Sequence, residues 1–149
     1  MTGPIYGKPV KNRSMPSCTV IPVLEYKDVT MAANWLCKAF GFTERWHAGT
    51  HRAQLEVGDG AVVLTEPRRT DIAAPEMTGH AVMVRVLNVD SHYEQARESG
   101  AQILQAPATF PYGERQYTAA DIDGHAWTFS QSVADLAPED WGGTSGQKT

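Results

Sequence analysis

The chain has 149 residues, 42% of them hydrophobic and 9% aromatic, with a formal net charge of −4. That supplies the core of one compact domain, or of two small modules sharing one. A mildly acidic chain without a basic stripe excludes a nucleic-acid partner. No apolar run reaches the roughly 20 residues that span a bilayer, and the N-terminus lacks a signal peptide's apolar segment, so we expect a cytoplasmic protein with no membrane partner. Cys18 and Cys37 sit outside any Cys-x-x-Cys spacing and fit buried free thiols in a reducing compartment.

Residues 1–16, rich in Gly, Pro and Lys and without periodicity, read as a mobile arm or a strap over the surface. An apolar extended run follows at 18–25. Residues 30–38 predict a helix, because Met31, Trp35, Leu36, Ala39 and Phe40 fall on one face. Asp28 or Thr30 can cap it, and Gly41 stops it. Residues 42–48, 52–57 and 61–66 predict antiparallel strands, the last two joined by the tight-turn pair Asp59-Gly60. After a polar linker at 70–78 the same grammar returns. An apolar run spans 80–86, and a helix spans 91–98, capped by Asp90 or Ser91 and stopped at Gly100. Strands lie near 102–106, 115–120 and 126–131, with a hairpin signal at Asp121 to Gly124. In the tail, 133–149, Leu136 and Trp141 are the groups able to anchor it, and the residues from Gly142 onward lack core-forming side chains. A unit present twice is too few for a solenoid. We therefore predict one domain at 17–132 of two βαβββ modules, 17–69 and 79–132, facing each other across a cleft.

Tandem modules with this punctuation resemble the glyoxalase/bleomycin-resistance/extradiol-dioxygenase superfamily, also called vicinal oxygen chelate proteins. Ala39-Phe40-Gly41-Phe42 is similar to the family's FYxxxFGF turn. Residues 111–129, PYGERQYTAADIDGHAWTF, are similar to its second hairpin, GxRxxxxxDPDGxxxE, with Ile122 in place of the usual proline. Glu139-Asp140-Trp141-Gly142 resembles the PhnB-like branch. The resemblance implies an α+β fold forming a glyoxalase-like half-open barrel around a cleft. In metal-dependent members it also implies four His, Gln or Glu positions converging on one divalent cation. The ligand of the second module's first strand lies seven residues before the Asp of a V-x-D-V run. Val86-Leu87-Asn88-Val89 matches that run and puts the position at Ala81. The same count from Asp28 gives Ile21. Four residues past the turn glycines Gly60 and Gly124 lie Leu64 and Thr128. Three apolar groups and a hydroxyl lack the imidazole, thiolate or carboxylate that Zn, Ni, Fe or Mn needs, so no metal and no cofactor is expected. His80 adjoins Ala81, but in a strand one residue turns a side chain to the opposite face. His47, His51, His92 and His125 share no ligand spacing; His92 is expected in an exposed first helical turn and His125 at a hairpin base.

The expected ligand site rests on other groups. Glu25 and Arg85 occupy equivalent places in the two first strands and should face the cavity, as an ion pair or as contacts for a polar ligand. Arg115 and Tyr117 are expected to share a face with Thr128, leaving Trp127 and Phe129 to the core. Trp46 is expected to cap the cleft mouth or a subunit interface, and Glu66 to end its strand on the cavity side. A guanidinium and a phenol suit an aromatic or anionic ligand, whereas the net charge favours a cationic one. The leading expectation is a metal-independent small-molecule binding protein, similar to the drug-sequestering branch, homodimeric and not an enzyme. The alternatives are a metal-dependent lyase, isomerase or dioxygenase with an unusual ligand set, turning His80 or Glu66 inward, and a structural member with a filled cavity.

Overall fold

The computed structural model describes residues 12–67 and 81–145; the expected linker at 70–78 and His80 lie outside them. The first module runs β1 (Val23–Glu25), α1 (Val29–Phe40), β2 (Thr43–Ala48), β3 (Arg52–Val57) and β4 (Gly60–Thr65). The second runs β5 (Val82–Arg85), α2 (Val89–Glu98), β6 (Gln102–Thr109), β7 (Glu114–Ala120) and β8 (Ala126–Ser132), followed by a 3₁₀ turn at Pro138–Trp141. Each module is βαβββ. The sheets are ordered β1-β4-β3-β2 and β5-β8-β7-β6. In each, the first strand pairs parallel with the last and the other pairs are antiparallel. The expected apolar runs pair over only three and four residues. No helix among the described residues is long and apolar enough to cross a membrane.

Local chemistry sets the helix ends. The Asp28 carboxylate accepts from the Met31 N–H at 2.9 Å, and Gly41 takes the left-handed conformation, φ 81°, that ends α1. In the second module Asn88, not Asp90 or Ser91, is the cap: it is extended, and its side chain accepts from Ser91 N at 3.1 Å. Asparagine caps as well as aspartate, and α2 therefore starts two residues earlier than expected.

One core serves both modules. From the first come Leu24, Ala53, Leu55, Val62 and Leu64 on the sheet, with Leu36 and Phe40 on α1; from the second come Tyr117, Ala119, Trp127 and Phe129 on the sheet, with Ala96 on α2. Phe40 lies edge-on to Phe129 at 4.8 Å and to Trp127 at 5.8 Å, and Phe42 meets Trp127 at 5.3 Å. The end of α1 and its exit into β2 thus pack on the helix side of the other module's sheet. Fully burying one such large side chain is worth roughly 1.5–3 kcal/mol. The space between the modules, expected to be a cleft, is core. Each sheet keeps one open face, turned away from it.

A polar junction fastens the modules at the end of β1. Asp121, 6% exposed, accepts from the Tyr26 hydroxyl at 2.6 Å, the Trp127 indole at 2.9 Å and the backbone N–H groups of Asp123 and His125. Burial, then the Asp121 charge, pushes the Tyr26 hydroxyl pKa far up and keeps it a donor. His125 sits at the hairpin base as expected and bridges from Nε2 to the Glu25 carbonyl at 2.7 Å, while Asp123 accepts from Lys27 N at 2.7 Å. With its partners paired in this way, a buried carboxylate becomes a fastener instead of a penalty.

Candidate functional site: two open sheet faces

On the second sheet, strand alternation sends Met83, Arg85, Gln116, Thr118, Thr128 and Ser130 to the open face. Thr118 and Thr128 are directly opposite, their hydroxyls 2.9 Å apart. Gln116 donates to the Ser130 hydroxyl at 3.0 Å, which donates to Glu114 at 2.6 Å. Hydrogen bonds from Ser130 and then Ser132, with a smaller contribution from the Arg85 charge, hold the Glu114 carboxyl below its usual range. Tyr112 reaches in from the β6–β7 turn and donates to the Gln116 carbonyl at 3.1 Å. Its ring stacks on Phe110 at 5.4 Å and meets the edge of Trp141 at 5.8 Å. A hydroxyl and amide floor thus has an aromatic rim, and Leu136 and Trp141 remain 40% and 43% exposed.

The first sheet's open face carries Val23, Glu25, Gln54, Val63, Thr65 and Trp46. Gln54 is 1% and Val63 5% exposed. Part of the cover comes from residues 12–16, the described end of the N-terminal segment, which lie as a strap on this face. Trp46 Nε1 donates to the Ser14 carbonyl at 3.2 Å, Gln54 Nε2 to the same oxygen at 3.5 Å, and Arg45 Nη2 to the Arg13 carbonyl at 3.1 Å. A β-bulge between Glu44 and Trp46 puts Arg45 beside Trp46 over this face, where its guanidinium also meets the Gln54 carbonyl and, at 3.4 Å, Glu56.

Strand parity puts two of the expected site residues on open faces and not in one shared cavity. Glu25 and Arg85 are both exposed on open faces, opposite Thr65 and Ser130, but on different sheets, and no ion pair among the described residues joins them. Trp46 is half-buried under the strap. Other expectations are overturned. Tyr117 pairs with Phe129, not Thr128, is fully buried on the helix side and bonds His92 Nδ1 at 2.5 Å; burial pushes its hydroxyl pKa up. Arg115 points to α2 and forks onto Asp90 at 2.9 and 3.0 Å, holding that carboxyl below its usual range. Leu64 is core, and Val63 takes the open-face place opposite Gln54. Glu66 lies one residue past β4, exposed and on the parity of Leu64, not of the open face.

His92 was expected exposed and is half-buried. Its Nε2 bonds the Phe40 carbonyl at 2.9 Å and its Nδ1 the Tyr117 hydroxyl, so it ties α2 to the end of α1. Burial lowers its pKa. No residue pattern marked it, because its partners are a distant carbonyl and a residue of another strand. Both cysteines are free and half-buried, and burial followed by the Glu44 charge raises the Cys37 pKa. A cavity of about 300 Å³ lies elsewhere, between α1 and the β2–β3 hairpin, lined by Asn34, Glu44, His47 and Arg52 over Ala33 and Ala53. It contains none of the expected site residues.

The family model described as the Glyoxalase/Bleomycin resistance protein/Dioxygenase superfamily matches residues 21–129. The chain belongs to this superfamily. Among solved structures, TioX from Micromonospora sp. ML1 is 30% identical over 80% of this chain and all of that one, with a TM-score of 0.64. A superfamily enzyme from Burkholderia phytofirmans PsJN is 14% identical over 76% of this chain and 97% of its own, with a TM-score of 0.65. The lactoylglutathione lyase of Agrobacterium tumefaciens is 13% identical over 79% and 96%, with a TM-score of 0.59. The last two likenesses concern the fold alone. Curated proteins gave no match.

Superfamily membership raises the question of a metal. With Val63 in place of Leu64, the four positions that the resemblance implies read Ile21, Val63, Ala81 and Thr128, the second and fourth of them on open faces. One hydroxyl among three apolar side chains does not fit a divalent transition metal. Among the described residues no three His, Cys, Asp or Glu side chains gather closely enough to hold one elsewhere.

Proposed function

We propose that this superfamily member binds a small organic molecule on its open faces without a metal, in the manner of drug sequestration. The observation that carries the reading is the second sheet's open face. Thr118 and Thr128 offer hydroxyls beside the buried Gln116–Ser130 pair, Tyr112 and Trp141 offer stacking, and Arg85 and Glu114 flank them. Such a surface suits a planar aromatic ligand with polar substituents; Glu114 and the net charge of −4 favour a cationic one. The residues 139–142, with Trp141 on this rim, favour the PhnB-like branch, and free Cys18 and Cys37 fit a cytoplasmic setting.

The cleft in this reading is shared between two copies of the chain. Within one chain the helix sides of the sheets meet, so their open faces are not brought together. β1 and β5 are edge strands, with Val23 51% and Met83 63% exposed on them. Pairing these edges across a homodimer would complete a wall from two modules and cover that apolar surface.

Thermal unfolding of the full chain with a panel of planar aromatic cations, bleomycin included, tests the binding claim. A ligand at 100 times its Kd adds about 2.7 kcal/mol and should raise Tm by several degrees. Metal analysis of protein purified without chelator should find no stoichiometric Zn, Ni, Mn or Fe. Stoichiometric metal together with a chelator-sensitive activity would replace this reading with the enzyme one.

A further inference from the structure

Among the described residues, the hydrogen bonds that hold the strap to the first sheet all go to its backbone carbonyls. Asn12 shapes it: its side chain accepts from Ser14 N at 3.0 Å and its carbonyl from Met15 N at 3.1 Å, a turn that turns the Arg13 and Ser14 carbonyls toward the sheet. Three donors meet them, the Arg45 guanidinium, the Trp46 indole and the Gln54 amide. None of these contacts depends on the strap's own side chains. None of residues 12–16, the described part of the strap, enters the hydrophobic core cluster, so this part can leave without opening the fold.

Its departure would nevertheless strip acceptors from three donors. Gln54 is 1% exposed, and its carbonyl is already taken by Arg45. Gln54, the buried donor of the three, requires an acceptor, and the half-buried Arg45 and Trp46 point their N–H groups at the same two oxygens. Glu56, 3.4 Å from Arg45, offsets the one positive charge. The set therefore favours neutral carbonyl oxygens over a carboxylate or phosphate. Consecutive amide carbonyls presented by a turn match it, because that is what Arg13 and Ser14 of the strap present.

Resting on the reading of the open faces as ligand surfaces, we propose that Arg45, Trp46 and Gln54 form a reader of peptide main chain. The strap is its tethered occupant, and a ligand carrying successive amide carbonyls takes the same donors by displacing it. The ligand class for the first sheet is then peptide-like, while the second sheet supplies the hydroxyl floor and aromatic rim. A tethered occupant acts at an effective concentration of about millimolar, so an outside ligand binds more weakly until the strap is loosened.

The test uses the full chain and one probe, the strap's own sequence as the capped peptide acetyl-Asn-Arg-Ser-Met-Pro-amide. The readout is the Trp46 indole N–H resonance, assigned by its loss in Trp46→Phe. Asn12→Ala loosens the strap without touching the donors, and Ser14→Pro is a second variant with the same purpose. The peptide should shift the indole resonance and bind both variants about tenfold or more tightly than the unmodified chain. Adding Gln54→Met to Asn12→Ala should abolish the gain. An indole resonance unmoved by millimolar peptide in both loosened variants overturns the proposal, as does equal affinity with and without loosening. Either failure alongside a positive thermal shift with an aromatic cation would sink the peptide reader and leave the binding role standing.

Discussion

The two open faces belong to two copies of the same βαβββ pattern and are chemically unlike. Val63 of the first sheet and Thr128 of the second hold matching places, each beside the parallel first strand; so do Gln54 and Thr118 opposite them. On the first sheet this quartet is an alkyl group and a buried amide beneath a strap. On the second it is two hydroxyls in contact, half-buried and without a strap among the described residues. The helix sides, by contrast, are alike: both sheets turn apolar residues to one core. The face that makes the fold is held in common, and the face proposed to meet a ligand is where the modules diverge, as expected when function is grafted onto a scaffold.

The largest test of that division lies in the common core. Trp127→Ala should destabilise the chain by about 3–5 kcal/mol. Urea unfolding followed by far-UV circular dichroism and by tryptophan fluorescence should give one coincident transition. Two separated transitions would show independent modules and dissolve the comparison. Asp121→Ala comes next, because it leaves the Tyr26 hydroxyl and the Trp127 indole without their acceptor. Each orphaned buried group costs about 1–3 kcal/mol, read as a lower urea midpoint at unchanged slope.

A smaller effect belongs to His92. Its folded pKa lies below the unfolded value of about 6.5. In the window below that value the unfolded chain binds the extra proton, so this contribution to stability is intact at neutral pH and lost as pH falls. Tm should drop more between pH 7.5 and 5.5 for the unmodified chain than for His92→Gln. Equal drops would remove His92 from the acid response. The smallest structural effect is expected of Thr128→Val, below about 1 kcal/mol, since the hydroxyl pair lies on a half-open surface. It should nonetheless shrink the ligand-induced Tm shift, whereas Val63→Thr should leave that shift nearly unchanged. The reverse ranking would assign the ligand to the strapped sheet.

The elements were legible because turn chemistry is local. Asp28 and Gly41 bound α1 by their own geometry, and the doubled pattern announced two modules. Strand parity was less legible, for a reason visible in the two hairpins. Gly60 is already in the ladder, paired with Val57, whereas Gly124 sits in the turn and the ladder resumes at Ala126. Counting from the glycine therefore reaches the open face at Thr128 but the core at Leu64. A separate slip placed Arg115 and Tyr117 beside Thr128: the second hairpin's loop takes in His125 as well, and the register puts Thr118 there. The strap's docking was legible only as one of two alternatives, since its contacts use main-chain carbonyls that every sequence possesses.

The shared core also bears on how this chain can be divided. Phe40 and Phe42 find their partners on Trp127 and Phe129. A half chain would bare those rings to water and to other half chains. The unit that can be fused, permuted or transplanted is therefore the pair of modules, although the amino-acid pattern repeats at half that length.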